Sequence, residues 1–171
     1  MPDANIAGKR ARPVFVSREP FEHERIGAAA VYCSDGRYGE QMDQFLHKAL
    51  GLPRYDRVAV PGGAACLAGY TLAYQEGMAV ERQLSFLIKE HGLKRVVLIA
   101  HECCGFYKHI PREDHPLEDL QQHDLQKAAE QIRLWDSTLV VEAFFARRSE
   151  DRVAFERWDS KPVDKWSTPF R

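Results

Sequence analysis

Two short stretches carry residue types that can do chemistry together: Cys33-Ser34-Asp35-Gly36-Arg37, and His101-Glu102-Cys103-Cys104-Gly105. Two thiolates and an imidazole form a donor set suited to zinc, and His-x-x-Cys at a tight turn lets both side chains reach one ion. Three protein ligands, Cys33, His101 and Cys104, leave a fourth position for water, whose pKa the metal lowers toward neutrality. Asp35 can accept a hydrogen bond from that water or bind the metal in its place. Arg37 can hold Asp35 through a two-pronged guanidinium pair and set its direction. The pair is therefore both an orienter and a candidate switch.

These residues need elements to bring them together. Gly27 to Cys33 is small, β-branched and apolar before it turns polar, the pattern of a buried strand whose carboxyl end opens onto a loop. Arg95-Val-Val-Leu-Ile-Ala100 repeats that pattern and empties into His101. Chemistry in open parallel sheets gathers at the carboxyl ends of strands, so the two motifs share one crevice if their strands are neighbours.

Around these strands, helical spacing predicts helices over 39–51, 79–91 and 117–136, the first two ending at Gly51 and Gly92. Asp56–Val60 reads as a strand closed by Pro61-Gly62-Gly63, a turn whose bare glycines allow close backbone approach. Gly77 is expected to interrupt or kink any helix containing it. A strand is expected from Thr138 through Phe145, and 152–158 alternates as an antiparallel partner in a hairpin. Pro13–Ser17 fits an edge strand or a segment lying on a partner subunit. The succession is that of an α/β layer fold with a mainly parallel sheet. Residues 1–26 are expected to be an arm, 27–158 a zinc-binding α/β domain, and 159–171 a tail packing on the domain or a partner.

The bulk composition narrows the function classes. The 171 residues are 44% hydrophobic and 29% charged, which suits one globular domain. With 24 basic and 25 acidic side chains and a formal charge of -1, the basic surplus of a nucleic-acid binder is missing. No apolar run suffices for a bilayer span, and the first thirty residues hold no signal-peptide core, so the expected compartment is cytoplasmic, with no membrane partner. Four cysteines, two of them adjacent, fit metal-bound or free thiols better than disulfides in such a chain. Cys103 and Cys66 read as non-ligating and packing residues. Tyr38, Phe106 and Tyr107 read as core or pocket wall. His109 and His115 read as surface histidines or proton relays.

The two motifs resemble the C-x-D-x-R and H-x-x-C-G motifs of the beta-class carbonic anhydrases, and the resemblance extends from about Ala28 to Trp158. It implies a beta-carbonic-anhydrase-like sheet of order 2-1-3-4 with a C-terminal antiparallel edge strand and helices on the faces. That order supplies the strand adjacency the site needs. It further implies Zn2+ on Cys33, His101 and Cys104, with Asp35 and Arg37 as catalytic residues in reversible hydration of carbon dioxide to bicarbonate and a proton by zinc-bound hydroxide. A homodimer or homotetramer is implied as well. Where the family commonly carries a polar stretch after its second strand, this chain has Pro61-Gly62-Gly63-Ala64-Ala65. That departure keeps open a zinc hydrolase or hydratase for another small electrophile, and a non-catalytic zinc-binding structural or regulatory protein.

Overall fold

The computed structural model describes residues 12–110 and 116–158. Among these residues, five strands form one sheet: β1 (Ala28–Cys33), β2 (Asp56–Val60), β3 (Arg95–His101), β4 (Val140–Ser149) and β5 (Arg152–Arg157). Their order is β2-β1-β3-β4-β5, with β1 to β4 parallel and β5 antiparallel to β4. β1 therefore lies between β2 and β3, pairing Tyr32 with Ala59 on one side and Ile99 on the other. The adjacency that the two motifs require is present.

Three α-helices cover the sheet: α1 (Gly39–Gln44), α2 (Tyr74–His91) and α3 (Leu117–Trp135). Alternation along the central strands divides the core between two faces. Ala29 and Val31 of β1 pack with Val96 and Leu98 of β3 against Leu84 of α2 and Leu125 of α3. Ala28, Ala30 and Tyr32 pack with Val97 and Ile99 against Met42 and Leu46 on the opposite face. All six β1 residues are buried, and its three alanines leave room for both layers to close on the sheet. Leu84 is fully buried, so Leu84→Ala would cost about 2 to 5 kcal/mol.

The structure departs from the sequence pattern at several boundaries. α2 begins at Tyr74 rather than Ala79 and runs through Gly77 without interruption. The glycine is there for space: a Cβ would sit 2.6 Å from the Cys66 carbonyl oxygen. After Gln44 the helix expected over 39–51 widens into a π-helical stretch, Phe45–Ala49. β4 starts at Val140 because the Asp136 carboxylate accepts from the Thr138 amide (2.8 Å) and hydroxyl (2.6 Å), holding that residue in a turn. Residues 13–17 form no strand, and Val14, Phe15 and Val16 are exposed. The tail at 159–171 and His115 lie outside the described residues. Among the described residues, no helix is long and apolar enough to cross a membrane.

Candidate metal centre

The carboxyl ends of β1 and β3 bring Cys33, His101 and Cys104 together, all buried, with one donor atom from each within 4.8 Å of the others. The β2 exit turn makes this possible from below. Gly63 has φ 55°, and a Cβ there would meet the Cys33 amide nitrogen and the Tyr32 carbonyl carbon at 2.7 Å. Gly62 has φ 81° and packs under the Phe106 ring, which a Cβ would strike at 2.6 Å. The two residues that looked like tight-turn glycines are thus pressed against both motifs.

The Cys104 thiol donates to Cys33 Sγ at 3.7 Å. That bond lowers the Cys33 pKa to about 4 against the opposing effect of burial, with further help from His101 and the Gly62 and Asp35 backbone. Cys104 moves the other way, pushed up by its bond to Cys33 and by burial. The shared bond therefore favours the thiolate on Cys33, the form in which a cysteine binds a metal ion. Cys104 follows Cys103, whose φ of 54° turns the chain back after β3.

His101 is 1% exposed, and its Nδ1 lies 2.9 Å from the Glu102 carbonyl oxygen. A carbonyl only accepts, so Nδ1 carries the proton and Nε2 presents a lone pair. That Nε2 is buried and, beyond its approach to the Cys33 sulfur, has no hydrogen-bond partner among the described residues. A buried orphan acceptor is costly, and two thiol sulfurs close by make a cation the group that satisfies it. The donor chemistry of two sulfurs and one imidazole fits zinc, and the Nδ1 contact is the usual outer support of a metal-binding histidine.

Asp35 lies beside this cluster without joining it. Its Oδ1 accepts from Arg37 Nε at 2.9 Å and its Oδ2 from Arg37 Nη2 at 2.5 Å, while the Arg37 amide donates to Oδ1 at 3.1 Å. The guanidinium holds the Asp35 pKa down at about 2. The bidentate geometry expected from the motif is present, with Asp35 turned toward Arg37.

Other residues take definite places. Tyr38 is buried with its ring 4.3 Å from that of His101. Tyr107 and, partly, Phe106 join Cys33, Ala65, Cys104, Ile110 and Leu120 in an apolar cluster against the centre. Cys66 is a packing residue: its thiol donates to the Pro61 carbonyl at 3.2 Å, and burial pushes it up to about 11. Cys103 is exposed, with Sγ 3.8 Å from Arg148, and stands outside the donor cluster.

Sequence reading missed the polar residues of α3. Gln121, 1% exposed, donates to the His101 carbonyl at 2.7 Å, and Asp124, 2% exposed, accepts from the hydroxyls of Tyr70 and Tyr107. The available signal was position: both occupy the buried stripe shared with Leu120, Leu125 and Ala128, where a polar residue needs a partner.

The architecture is that of the beta-carbonic anhydrases. A carbonic anhydrase of Trichomonas vaginalis (isoform I) aligns with TM-score 0.50 and 16% identity over 84% of this chain and 87% of its own. The Glaciozyma antarctica carbonic anhydrase also gives 0.50, at 15% identity over 77% and 83%. An apo carbon disulfide hydrolase gives 0.50 at 14% identity over 86% and 85%. Residues 23–156 match the family described as "Putative carbonic anhydrase", and the chain belongs to it as a divergent beta-carbonic-anhydrase-like member. Among curated relatives, an uncharacterized protein of Rickettsia conorii is 30% identical over 60% of this chain, and one of Rickettsia bellii is 27% identical over 64%. The chain spans 55% and 66% of the length of those two relatives.

Proposed function

We propose that this protein is a zinc enzyme that reversibly hydrates carbon dioxide to bicarbonate and a proton, with Cys33, His101 and Cys104 as the zinc ligands. The observation that carries the reading is the buried Nε2 of His101, without a polar partner of its own among the described residues, facing two thiols beside an arginine-held aspartate. Bound zinc would supply Lewis acidity, making a water a nucleophile near neutral pH. The chain's own residues do the rest. Glu102 fixes the His101 tautomer through Nδ1, and Gln121 holds the same residue by its carbonyl. Asp35, directed by Arg37, accepts a hydrogen bond from the nucleophile and so selects a protonated oxygen there. Ala65, Tyr107, Ile110 and Leu120 pack with Cys33 and Cys104 in one apolar cluster, surroundings that suit a small linear molecule without hydrogen-bond donors.

A stopped-flow pH-indicator assay of zinc-loaded protein from pH 6 to 9 tests this directly. Hydration above the buffer rate is expected, and its absence at every pH would sink the reading. One observation favours a second substrate of the same class: the β2 exit turn presents only glycine and alanine beside Cys33, with no polar side chain to hold bicarbonate. The fold likeness to a carbon disulfide hydrolase supports testing that electrophile by sulfide release. Sulfide release without carbon dioxide hydration would assign the second substrate.

Assembly and location belong to the same proposal. Val14, Phe15, Val16 and Phe21 are exposed apolar side chains that a homodimer or homotetramer would cover. Light scattering on the eluting protein checks it, and a monomeric mass would overturn it. Four free cysteines fit a reducing cytoplasm, which cell fractionation tests.

A further inference from the structure

We propose that Asp124 is a positioning residue for the metal centre: from α3 its carboxylate holds the hydroxyls of Tyr70 and Tyr107, and through Tyr107 it fixes the loop that presents Cys104. The inference rests on the zinc reading above and assigns a role to a residue outside both motifs.

The geometry is specific. Tyr107 Oη donates to Asp124 Oδ2 at 2.6 Å, and Tyr70 Oη lies 2.9 and 2.8 Å from its two oxygens. Tyr107 sits in the 3-10 turn Gly105–His109, for which Cys104 is the N-cap residue. The backbone ties at the two ends of that turn are long, 3.3 Å from the Tyr107 amide to the Cys104 carbonyl and 3.4 Å from the Ile110 amide to the Tyr107 carbonyl. Entered through a left-handed cysteine and closed by long end contacts, the turn draws support from its side chains. The bond from Tyr107 to Asp124 is the shortest of these contacts.

One turn earlier on α3, Gln121 reaches the His101 carbonyl at 2.7 Å. Residues three apart on a helix share a face, so α3 addresses both ends of the His-x-x-Cys stretch with two adjacent polar side chains. Tyr70 joins the same carboxylate from the segment ahead of the Thr71–Ala73 turn. Asp124 thus ties three separate pieces of chain around the apolar cluster that includes Cys33 and Cys104. Burial raises its pKa to about 6, with the two tyrosine bonds and Lys127 acting against that rise. A buried carboxylate with no ion-pair partner among the described residues is an expensive way to hold two tyrosines in place. Filling the space alone would need only an apolar residue; presenting strong acceptors to two hydroxyls needs the carboxylate.

Cobalt substitution tests the role, because the thiolate-to-cobalt absorption reports ligand geometry without needing turnover. Asp124→Asn and Tyr107→Phe are expected to shift that band and to release cobalt to a chelator about ten-fold faster. Leu125→Ala removes a fully buried core side chain from the neighbouring position of α3 and serves as the destabilised control. It should lower the melting temperature while keeping the wild-type band. A wild-type band and release rate in both Asp124→Asn and Tyr107→Phe would overturn the inference alone. So would equal changes in Leu125→Ala. Wild-type protein with no cobalt–thiolate band would overturn the zinc reading together with it.

Discussion

The two limbs of the candidate centre are held in different ways. In the limb after β1 the Asp35–Arg37 pair closes locally, two residues apart, while the strand end itself rests on the neighbouring β2 exit turn at Gly63. The limb after β3 is tied from far away, His101 by Gln121 twenty residues on and the Cys104 turn by Asp124 through Tyr107. Locally closed geometry is robust and readable, whereas a limb fixed by distant side chains concentrates its stability in contacts that the motif does not mention. Loss of the distant ties should therefore show in metal retention and folding, and loss of the Asp35–Arg37 pair in turnover.

The largest effect expected is from Cys104→Ser. Removing one sulfur should lose most of the bound zinc, measured by metal analysis after dialysis against a weak chelator, and lower the melting temperature by several degrees. Zinc content and melting equal to wild type would remove the distinction between the limbs. Next, Gly63→Ala should cost about 3 kcal/mol by denaturant unfolding, because its Cβ collides with the β1 backbone at a left-handed φ. A cost below about 1 kcal/mol would mean that β1 can shift and that its limb is not braced by the β2 exit.

A pH titration of metal-free stability probes the second limb more finely. The Asp124 pKa is raised from 3.8 to about 6 in the folded protein, so between those values the folded state keeps a proton that the unfolded chain has lost. Its contribution is fully present below pH 4 and is lost as pH rises through about 6, on the order of 3 kcal/mol. Asp124→Asn should flatten that slope. Asp35 has the opposite sign: its pKa is depressed from 3.8 to about 2, so the stability from its Arg37 pair is present above pH 4 and lost as pH falls through 2. The smallest effect on stability is expected for Arg37→Ala, because the guanidinium is 76% exposed and its pairing is screened by solvent. Its turnover should nevertheless collapse as Asp35 loses its orientation. A variant retaining full hydration would show that Asp35 needs no guide.

The same contrast explains what could be read in advance. β1, β3 and the hairpin of β4 and β5 follow from apolar runs bounded by polar turns, and the sheet order came with the family resemblance. The three donor residues and the Asp35–Arg37 pair were legible because each motif places its functional groups within a few residues. Gly77 misled because chain-local propensity cannot show that the Cys66 carbonyl will lie where a Cβ would be. Gln121 and Asp124 stayed hidden for a related reason. Their partners are 20 and 17 residues distant for His101 and Tyr107, and 54 for Tyr70, so nothing local distinguishes them from solvent-facing residues of an amphipathic helix. Their place within the apolar stripe of α3 was the single clue.

The strand order has one more consequence, for the timing of maturation. Cys33 and Cys104 are 71 residues apart and meet only where β1 lies against β3, two strands separated in the chain by β2. A nascent chain thus makes the first sulfur early and cannot use it until the third strand has emerged and paired. An ion gathered by all three donors would act as a seal on a finished sheet rather than as a seed for it, and its capture would mark the moment at which the two halves of the chain have found each other.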